Sequence, residues 1–160
     1  MKLYHYTSLE QYVKIADSGY IDLSPSNLLP PDRASAQIRQ YPDGSGFYFW
    51  DKNQDYKNVV WLTSMEDPDP EALGLTPRKC AIRLAVDYNP FTYIPWKKFA
   101  DLNRMDKKWR RAFEDGRSPN TWYVRSSRLP FDEITESVVI MEYCPEAQRY
   151  AETEAKRAKA

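Results

Sequence analysis

Leu3-Tyr4-His5-Tyr6-Thr7-Ser8 opens a pattern that continues to Ile21 and predicts the first structural unit of the chain. Residues 3–7 are rich in aromatic side chains and predict a short β-strand. Ser8 is a preferred helix N-cap residue, and Gln11 stands where a capping box would close. Gly19 stands where helices commonly end in a left-handed residue. The pattern therefore predicts a strand, a helix, a tight turn and a second strand, in that order.

His5 is the single histidine among 160 residues, and the pattern places it near the end of the first strand with Thr7. The backbone is rigid at such a point, and a side chain there can reach into a cleft. We therefore treat His5 and Thr7 as candidate binding residues. A strand histidine with only a structural hydrogen bond is the alternative.

The composition, 42% hydrophobic and 29% charged, predicts a globular protein, which we divide into one domain at 1–150 and an exposed helical tail at 151–160. No apolar run approaches the ~20 residues of a membrane span. The first residues lack the apolar core of a signal peptide. We therefore expect a cytoplasmic protein without a membrane partner.

The two cysteines, Cys80 and Cys144, have no metal-ligand spacing, and one histidine adds little to them. We expect no metal site and two reduced thiols, as in the cytoplasm. The 12 tyrosines and 5 tryptophans are a surplus that packs a core or lines a pocket for a flat ligand.

Beyond the first unit, the clearest strand is Val59-Val60-Trp61-Leu62-Thr63-Ser64, which is apolar, β-branched and ended by hydroxyls. Residues 96–115 predict a helix, broken near Asn103. The apolar run 137–143 predicts a last strand at the centre of the sheet. Residues 33–39 predict a short helix inside the long connection 24–46, which is either a lid over a site or a surface loop.

The opening stretch, with Ser18-Gly19-Tyr20-Ile21 after the helix, resembles the start of the ADP-ribosyltransferase superfamily. The resemblance is to the branch that contains DNA-thymidine ADP-ribosyltransferase toxins and RNA 2′-phosphotransferases. It implies that His5 holds the adenosine-side ribose of NAD and that Thr7 lies near the nicotinamide amide, with Tyr6 between them. It also implies that the strand ending at Ser64 presents Trp61 or Thr63 to the nicotinamide, with Ser64 at the rim.

The same resemblance implies a glutamate at the start of a late strand, where a fixed carboxylate stabilises the positive charge that develops on C1′ of the ribose. Glu136 is the first candidate, and Glu133 is the reserve. Neither stands in a Q-x-E context, so a protein that binds a nucleotide without transferring ADP-ribose is the alternative. The phosphotransferase relatives use arginines instead, and Arg125 and Arg128 keep that branch open.

A basic segment lies within the predicted helix 96–115. Its cations include Lys107, Lys108, Arg110 and Arg111, on either side of Trp109. Basic residues beside an aromatic one can meet the phosphates of a nucleic acid and stack on a base. A solvated helix face is the alternative.

Together these patterns and the resemblance predict an α+β domain with a split, mostly antiparallel sheet and flanking helices. The predicted function is an ADP-ribosyltransferase that uses NAD to modify a nucleic acid or a protein. The alternative is a catalytically silent module that binds a nucleotide or a protein partner.

Overall fold

The structure, a computed structural model, describes residues 1–28, 37–41, 44–50 and 57–159. Ten strands and five α-helices lie in these ranges. The strands are β1 (Lys2–Thr7), β2 (Tyr20–Ile21), β3 (Gln37–Gln40), β4 (Phe47–Trp50), β5 (Val60–Thr63), β6 (Ile82–Asp87), β7 (Ile94–Pro95), β8 (Trp122–Arg125), β9 (Leu129–Pro130) and β10 (Glu136–Val139). The helices are α1 (Leu9–Ser18), α2 (Pro70–Leu73), α3 (Trp96–Leu102), α4 (Lys107–Glu114) and α5 (Pro145–Ala158).

The predicted first unit is confirmed as β1, α1 and β2. The hydroxyl of Ser8 caps α1 by accepting a hydrogen bond from the backbone N–H of Gln11 at 3.2 Å. Gly19 ends the helix in the left-handed region with φ 85°, and its N–H donates to the carbonyl of Ile15 at 2.9 Å. The sequence was sufficient to predict this unit, because the hydrogen bonds that cap both ends of α1 are made by residues of the helix and its immediate neighbours.

The main sheet has six strands in the order β10-β6-β1-β5-β8-β7, and every neighbouring pair is antiparallel. Two further ladders pair β2 with β9 and β3 with β4. Helices and an antiparallel sheet in one chain confirm the α+β class at this level.

The sheet is unevenly paired around β1. On one side, β1 pairs with β6 along its whole length, from Lys2 opposite Asp87 to Thr7 opposite Ile82. On the other side, its register with β5 is limited to Tyr4 opposite Thr63. The sheet is therefore open between the end of β1 and the start of β5.

Each face of the sheet has its own core. One face packs Leu3 of β1 and Leu84 of β6 against Ile15 of α1 and Leu129 of β9. The other face carries an aromatic cluster that joins β5 and β8 to α3 and α4. Its buried or partly buried rings are Trp61, Trp96, Phe99, Trp109, Phe113 and Trp122. Because the opening lies between β1 and β5, both cores border it.

The break predicted near Asn103 is confirmed, since α3 ends at Leu102 and α4 begins at Lys107. Arg110 of α4 joins the two helices through its ion pair with Asp101 of α3, and it also pairs with Glu114 of its own helix. The carboxylate of Glu114 also accepts the indole N–H of Trp96 at 3.3 Å. Arg110, a residue of the basic segment, therefore belongs to the network of polar contacts that holds the aromatic cluster in place.

The prediction that 137–143 forms a central strand is wrong. β10 spans Glu136–Val139 at the edge of the sheet and pairs there with β6, and residues 141–143 form a 3₁₀ turn. Val139 and Met141 are 47% and 46% exposed. The apolar, β-branched run favoured a strand, but propensity does not determine whether both edges of that strand find partners.

The predicted helix at 33–39 is contradicted where the structure describes it, and residues 33–36 lie outside the described residues. Residues 37–40 are β3, which pairs with the aromatic strand β4 from Gln40 opposite Phe47 to Gln37 opposite Trp50. The strand preference of the aromatic partner outweighs the local helix signal. The lid interpretation of 24–46 stays a prediction, because 29–36 and 42–43 lie outside the described residues.

α5 extends to Ala158, and none of its residues is buried. Residues 151–159 are exposed, and residue 160 lies outside the described residues. The division of the chain at residue 150 stays a prediction.

We expect Gly19→Ala to lower the free energy of unfolding by about 1–2 kcal/mol, because an L-residue with a Cβ is strained at positive φ. Apart from the two chain neighbours, no atom of the described residues lies within 4 Å of the Cβ position, so the loss reports backbone strain alone. Gly19→Asn is the matched control and should lose less, since asparagine tolerates this region better. Chemical denaturation measures both, and an alanine variant as stable as the wild type would contradict the role of the turn.

Candidate functional site

A cleft of about 580 Å³ lies at the opening of the sheet, within the range of about 300–1,000 Å³ typical of small-molecule sites. Both separated strands contribute to its walls, together with the start of α1 and the segment that follows α2. Among the sequence-predicted residues, the lining contains His5, Tyr6, Thr7, Trp61 and Thr63.

His5 lies at the point where β1 and β5 cease to pair. Its Nδ1 is 2.8 Å from the carbonyl oxygen of Trp61. A carbonyl only accepts hydrogen bonds, so Nδ1 must carry the proton. Burial lowers the pKa of His5, and the bond to Trp61 opposes that shift. At neutral pH the ring is therefore neutral, and its Nε2 is left as a hydrogen-bond acceptor in the cleft wall.

Thr7 and Tyr6 share the cleft with His5 but differ in what they offer a ligand. Thr7 is buried, and its hydroxyl has no hydrogen-bond partner in the described part of the chain. The Tyr6 hydroxyl is 2.7 Å from the carbonyl of Met65 and 2.5 Å from that of Glu66. Burial raises the pKa of Tyr6, so this phenol is a structural donor that holds the segment after β5.

Thr63 borders the cleft, but its hydroxyl has structural partners. It donates to the Thr121 hydroxyl at 3.0 Å and accepts the N–H of Met65 at 3.1 Å. Ser64 is not among the lining residues, and its backbone N–H donates to the carbonyl of Thr121 at 2.8 Å. The end of β5 therefore caps the following turn through its hydroxyl and backbone.

The wall opposite β1 is aromatic. Trp61, Phe113 and Trp122 line the cleft, and the ring of Trp61 lies 6.0 Å from each of the other two. The indole N–H of Trp61 donates to the carbonyl of Pro25 at 3.1 Å, which fixes the orientation of its ring. The sequence indicated Trp61, but Phe113 reaches the cleft only because α4 packs against β5 and β8.

Charged lining residues come from segments that the sequence did not single out. Lys79 and Arg117 are the cations of the described lining, and Asp22 is its carboxylate. Asp22 accepts the N–H of Leu23 at 2.8 Å and pairs with Arg128 at 3.0 Å. Those two contacts hold the pKa of Asp22 below its usual value, so the carboxylate is ionised at neutral pH.

The structure does not bring the two candidate glutamates into the described lining of the cleft. Glu136 is opposite Ala85, which is opposite Tyr4, so its side chain shares the face of Tyr4 and not that of His5. One of its carboxylate oxygens is 3.9 Å from the guanidinium of Arg83. The sequence could not supply this register, because strand phase depends on which strands become neighbours.

Glu133 pairs instead with Arg125 at 2.6 Å. Arg125 is 8% exposed and also donates to the Tyr93 hydroxyl at 3.3 Å and to the Ser127 hydroxyl at 3.0 Å. Arg125 and Arg128, which kept the phosphotransferase branch open, are therefore both engaged with carboxylates.

The residues of the basic segment have separate roles on α4. Lys107, Lys108 and Arg111 are exposed, and the ammonium of Lys108 lies 5.4 Å from the centre of the Tyr41 ring. Arg110 is held by its two ion pairs. Trp109 is 4% exposed and donates its indole N–H to the carbonyl of Asn27, so it belongs to the core and does not present a free face for a base.

Within the described ranges, no three His, Cys, Asp or Glu side chains are grouped so that they could hold a metal ion. No helix of those ranges is long and apolar enough to cross a membrane.

The protonation of His5 can be tested directly, because the chain has a single histidine. We expect imidazole ¹⁵N spectra at neutral pH to show one neutral ring protonated on Nδ1. Since the pKa is lowered in the folded state, the unfolded chain takes up the proton first as the pH falls through about 6.5. The free energy of unfolding should therefore decrease below that pH, and His5→Asn should lack this component of the decrease. A ring protonated on Nε2 would contradict the assignment.

If α4 binds a nucleic acid, the affinity should fall steeply with salt. The logarithm of the binding constant against the logarithm of the salt concentration should have a slope of roughly −0.7 to −0.9 per phosphate contacted. Replacing Lys107, Lys108 and Arg111 by Glu should abolish binding and flatten the slope, while Arg110 is kept for its structural ion pairs. A matched control replaces Lys156 and Lys159 of the C-terminal segment by Glu. Filter binding to DNA and RNA from low to moderate salt measures this, and no complex at low salt would leave α4 as a solvated face.

No protein-family model matches the chain, and neither a curated protein nor a solved structure matches it. Function is therefore inferred from the residues and contacts of the cleft.

Proposed function

We propose that the protein binds NAD in the cleft between β1 and β5, on a split sheet of the ADP-ribosyltransferase type. The observation that carries the proposal is the neutral His5 ring. Its Nδ1–H is used by the carbonyl of Trp61, so Nε2 is the acceptor left for a ligand. A ribose hydroxyl is the donor that such an acceptor would take.

The pairing of the sheet supports this proposal. β1 and β5 have one pair of residues in register, Tyr4 opposite Thr63, whereas β1 is paired with β6 along its whole length. The cleft begins where that single pair ends. An opening of this kind places His5 and Thr7 in the cleft lining without disrupting the rest of the sheet, because the other edge of β1 remains bonded.

The aromatic wall supports a ligand with a flat ring. Trp61 and Phe113 are partly buried, so part of their ring surface borders the cleft. Stacked or edge-on contacts between aromatic rings contribute about 0.5–1.5 kcal/mol beyond the burial of area. The nicotinamide or the adenine of NAD would supply such a ring.

ADP-ribosyl transfer from the bound NAD to a nucleic acid or a protein is the second candidate function, and one observation favours it. Asp22 is an ionised carboxylate that lines the cleft, and an ionised carboxylate can stabilise the oxocarbenium ion formed as nicotinamide leaves. Transfer that depends on Glu136 or Glu133 stays a prediction, and either glutamate would have to approach the ligand from outside the described lining.

We also propose a cytoplasmic location, as expected for an NAD-binding protein with unpaired thiols. Cys80 and Cys144 are both free and buried, which fits a reducing compartment.

NAD binding is expected to depend on Nε2 of His5. His5→Asn retains an amide donor close to the position of Nδ1 but removes Nε2, so it should weaken binding by about 1–3 kcal/mol. Calorimetric titration measures the affinity, and a melting curve checks that the fold is kept. Lys108→Gln, on α4 outside the cleft, is the matched control. Unchanged affinity in His5→Asn would contradict the proposed binding mode.

If the cleft also supports transfer, NAD should release nicotinamide when DNA, RNA or a protein mixture is present. Asp22→Asn should then abolish release while NAD still binds, because the charge acts mainly on the transition state. Arg128→Gln is the control, since it breaks the same ion pair but keeps the carboxylate. Loss of release in Glu136→Gln or Glu133→Gln instead would assign the role to that glutamate. Binding without release would identify a silent NAD-binding module.

A further inference from the structure

Two hydroxyls, those of Thr7 and Ser8, stand where β1 passes into α1, and both residues line the cleft. Thr7 is 6% exposed, and its hydroxyl has no hydrogen-bond partner among the described residues. A buried hydroxyl without a partner gives up the hydrogen bonds that water would make with it. An acceptor on a bound ligand would restore that hydrogen bond.

The Ser8 hydroxyl caps α1 and keeps its proton for a second contact. Its oxygen accepts the backbone N–H of Gln11 at 3.2 Å. A hydroxyl has one proton and two lone pairs, and the proton of Ser8 has no acceptor among the described residues. Ser8 is therefore able to cap the helix and to donate to a ligand at the same time.

The N-terminus of α1 favours an anion at this position. The N–H groups of Leu9 and Glu10, in the first turn of this ten-residue helix, have no acceptor in the described part of the chain. Together with the aligned peptide dipoles, such groups leave a partial positive charge that suits phosphate oxygens. Ser8 and Gln11 both belong to the cleft lining, so the positive end of the helix borders the cleft.

The charged side chains around the helix start are compatible with a bound anion. The carboxylate of Glu10 lies 3.5 Å from the guanidinium of Arg78. The carboxylate of Asp22 pairs with Arg128 at 3.0 Å. Lys79 follows Arg78 in the same 3₁₀ turn, lines the cleft and has no ion-pair partner among the described residues. Both carboxylates are thus paired, whereas the ammonium of Lys79 is not.

The spacing of His5 and Thr7 matches a ribose and its phosphate. The two residues alternate along β1, so their side chains lie on the same face, about 7 Å apart along the strand. A ribose hydroxyl and the 5′-phosphate of the same nucleotide are separated by a similar distance. A ribose held by Nε2 of His5 would therefore direct its phosphate toward Thr7 and Ser8.

We propose that the hydroxyls of Thr7 and Ser8 bind a phosphate of the ligand at the N-terminus of α1. This assignment rests on the proposed binding of NAD and extends it from the ribose to the diphosphate. It places Thr7 beside a phosphate, whereas the resemblance in sequence places it beside the nicotinamide amide. Both hydroxyls donate to phosphate oxygens, and a hydrogen bond to an ionised acceptor is about twice as strong as one between neutral groups.

The test compares ligands with and without phosphate. NAD, ADP and adenosine are titrated calorimetrically into the wild type, Thr7→Val and Thr7→Ser. Valine keeps the shape and loses the hydroxyl, so Thr7→Val should weaken ADP and NAD about tenfold, the effect of losing a hydrogen bond to a charged group, and leave adenosine unchanged. Thr7→Ser should bind as the wild type does. Thr153→Val, on α5 outside the cleft, is the matched control.

A second pair of variants, Ser8→Asp and Ser8→Asn, separates binding of an anion from capping of the helix. Aspartate and asparagine cap helices about equally well and have nearly the same shape, so the two variants should be similarly stable. The negative charge of aspartate should repel a phosphate. Ser8→Asp should therefore bind ADP and NAD at least about tenfold more weakly than Ser8→Asn, with equal affinity for adenosine. Melting curves establish that each variant is folded.

The outcomes also separate this inference from the proposed function. If ADP binds in a Thr7-dependent manner but NAD does not bind, the phosphate site stands and NAD is the wrong ligand. If Thr7→Val and Ser8→Asp bind NAD and ADP as the wild type does, NAD binding stands and the phosphate assignment is wrong. Weaker NAD binding in Thr7→Val with unchanged ADP would assign the hydroxyl to the nicotinamide end and overturn the inference. Failure of all three ligands to bind the wild type would overturn both.

Discussion

The hydrogen bond between the His5 ring and the carbonyl of Trp61 is the interaction on which the cleft depends. Where β1 and β5 cease to pair, the carbonyl of Trp61 would otherwise lack a partner from β1. A side chain replaces the backbone ladder at that point, which allows the strands to part without leaving that polar group unsatisfied. The same bond selects the tautomer of His5, so one contact both permits the opening and determines what the opening presents.

The two faces of the sheet contribute differently to the site. The core under α1 fixes β1 and the helix start, and so it holds His5 and Thr7 in place. The aromatic cluster on the other face holds Trp61 and Phe113 against the cleft, and its geometry depends on the polar ties between α3 and α4. The cations of the cleft come from the turn after α2 and the turn after α4, so the site is assembled from segments far apart in the chain.

The distribution of charged side chains in the cleft is not apparent from the net charge of the chain, which is zero. The described lining combines a neutral histidine, two cations and a carboxylate already paired with an arginine. Other arginines are committed to the framework, such as Arg110 between two carboxylates and Arg125 with Glu133. The position and the partners of each charged side chain therefore say more about the cleft than the net charge of the chain does.

The sequence by itself determined the local elements, because their signals lie within a few residues of each other. The N-cap at Ser8, the left-handed Gly19, a strand at 59–64 and the break near Asn103 were all predicted, and the structure has that strand at Val60–Thr63. The cleft lining contains five of the predicted site residues. The tertiary structure alone decided that β10 lies at an edge, that Glu136 is out of phase with His5, and that Phe113 of α4 reaches the cleft. Those features depend on which strands and turns become neighbours, and that is a property of long-range packing that no short window of residues encodes.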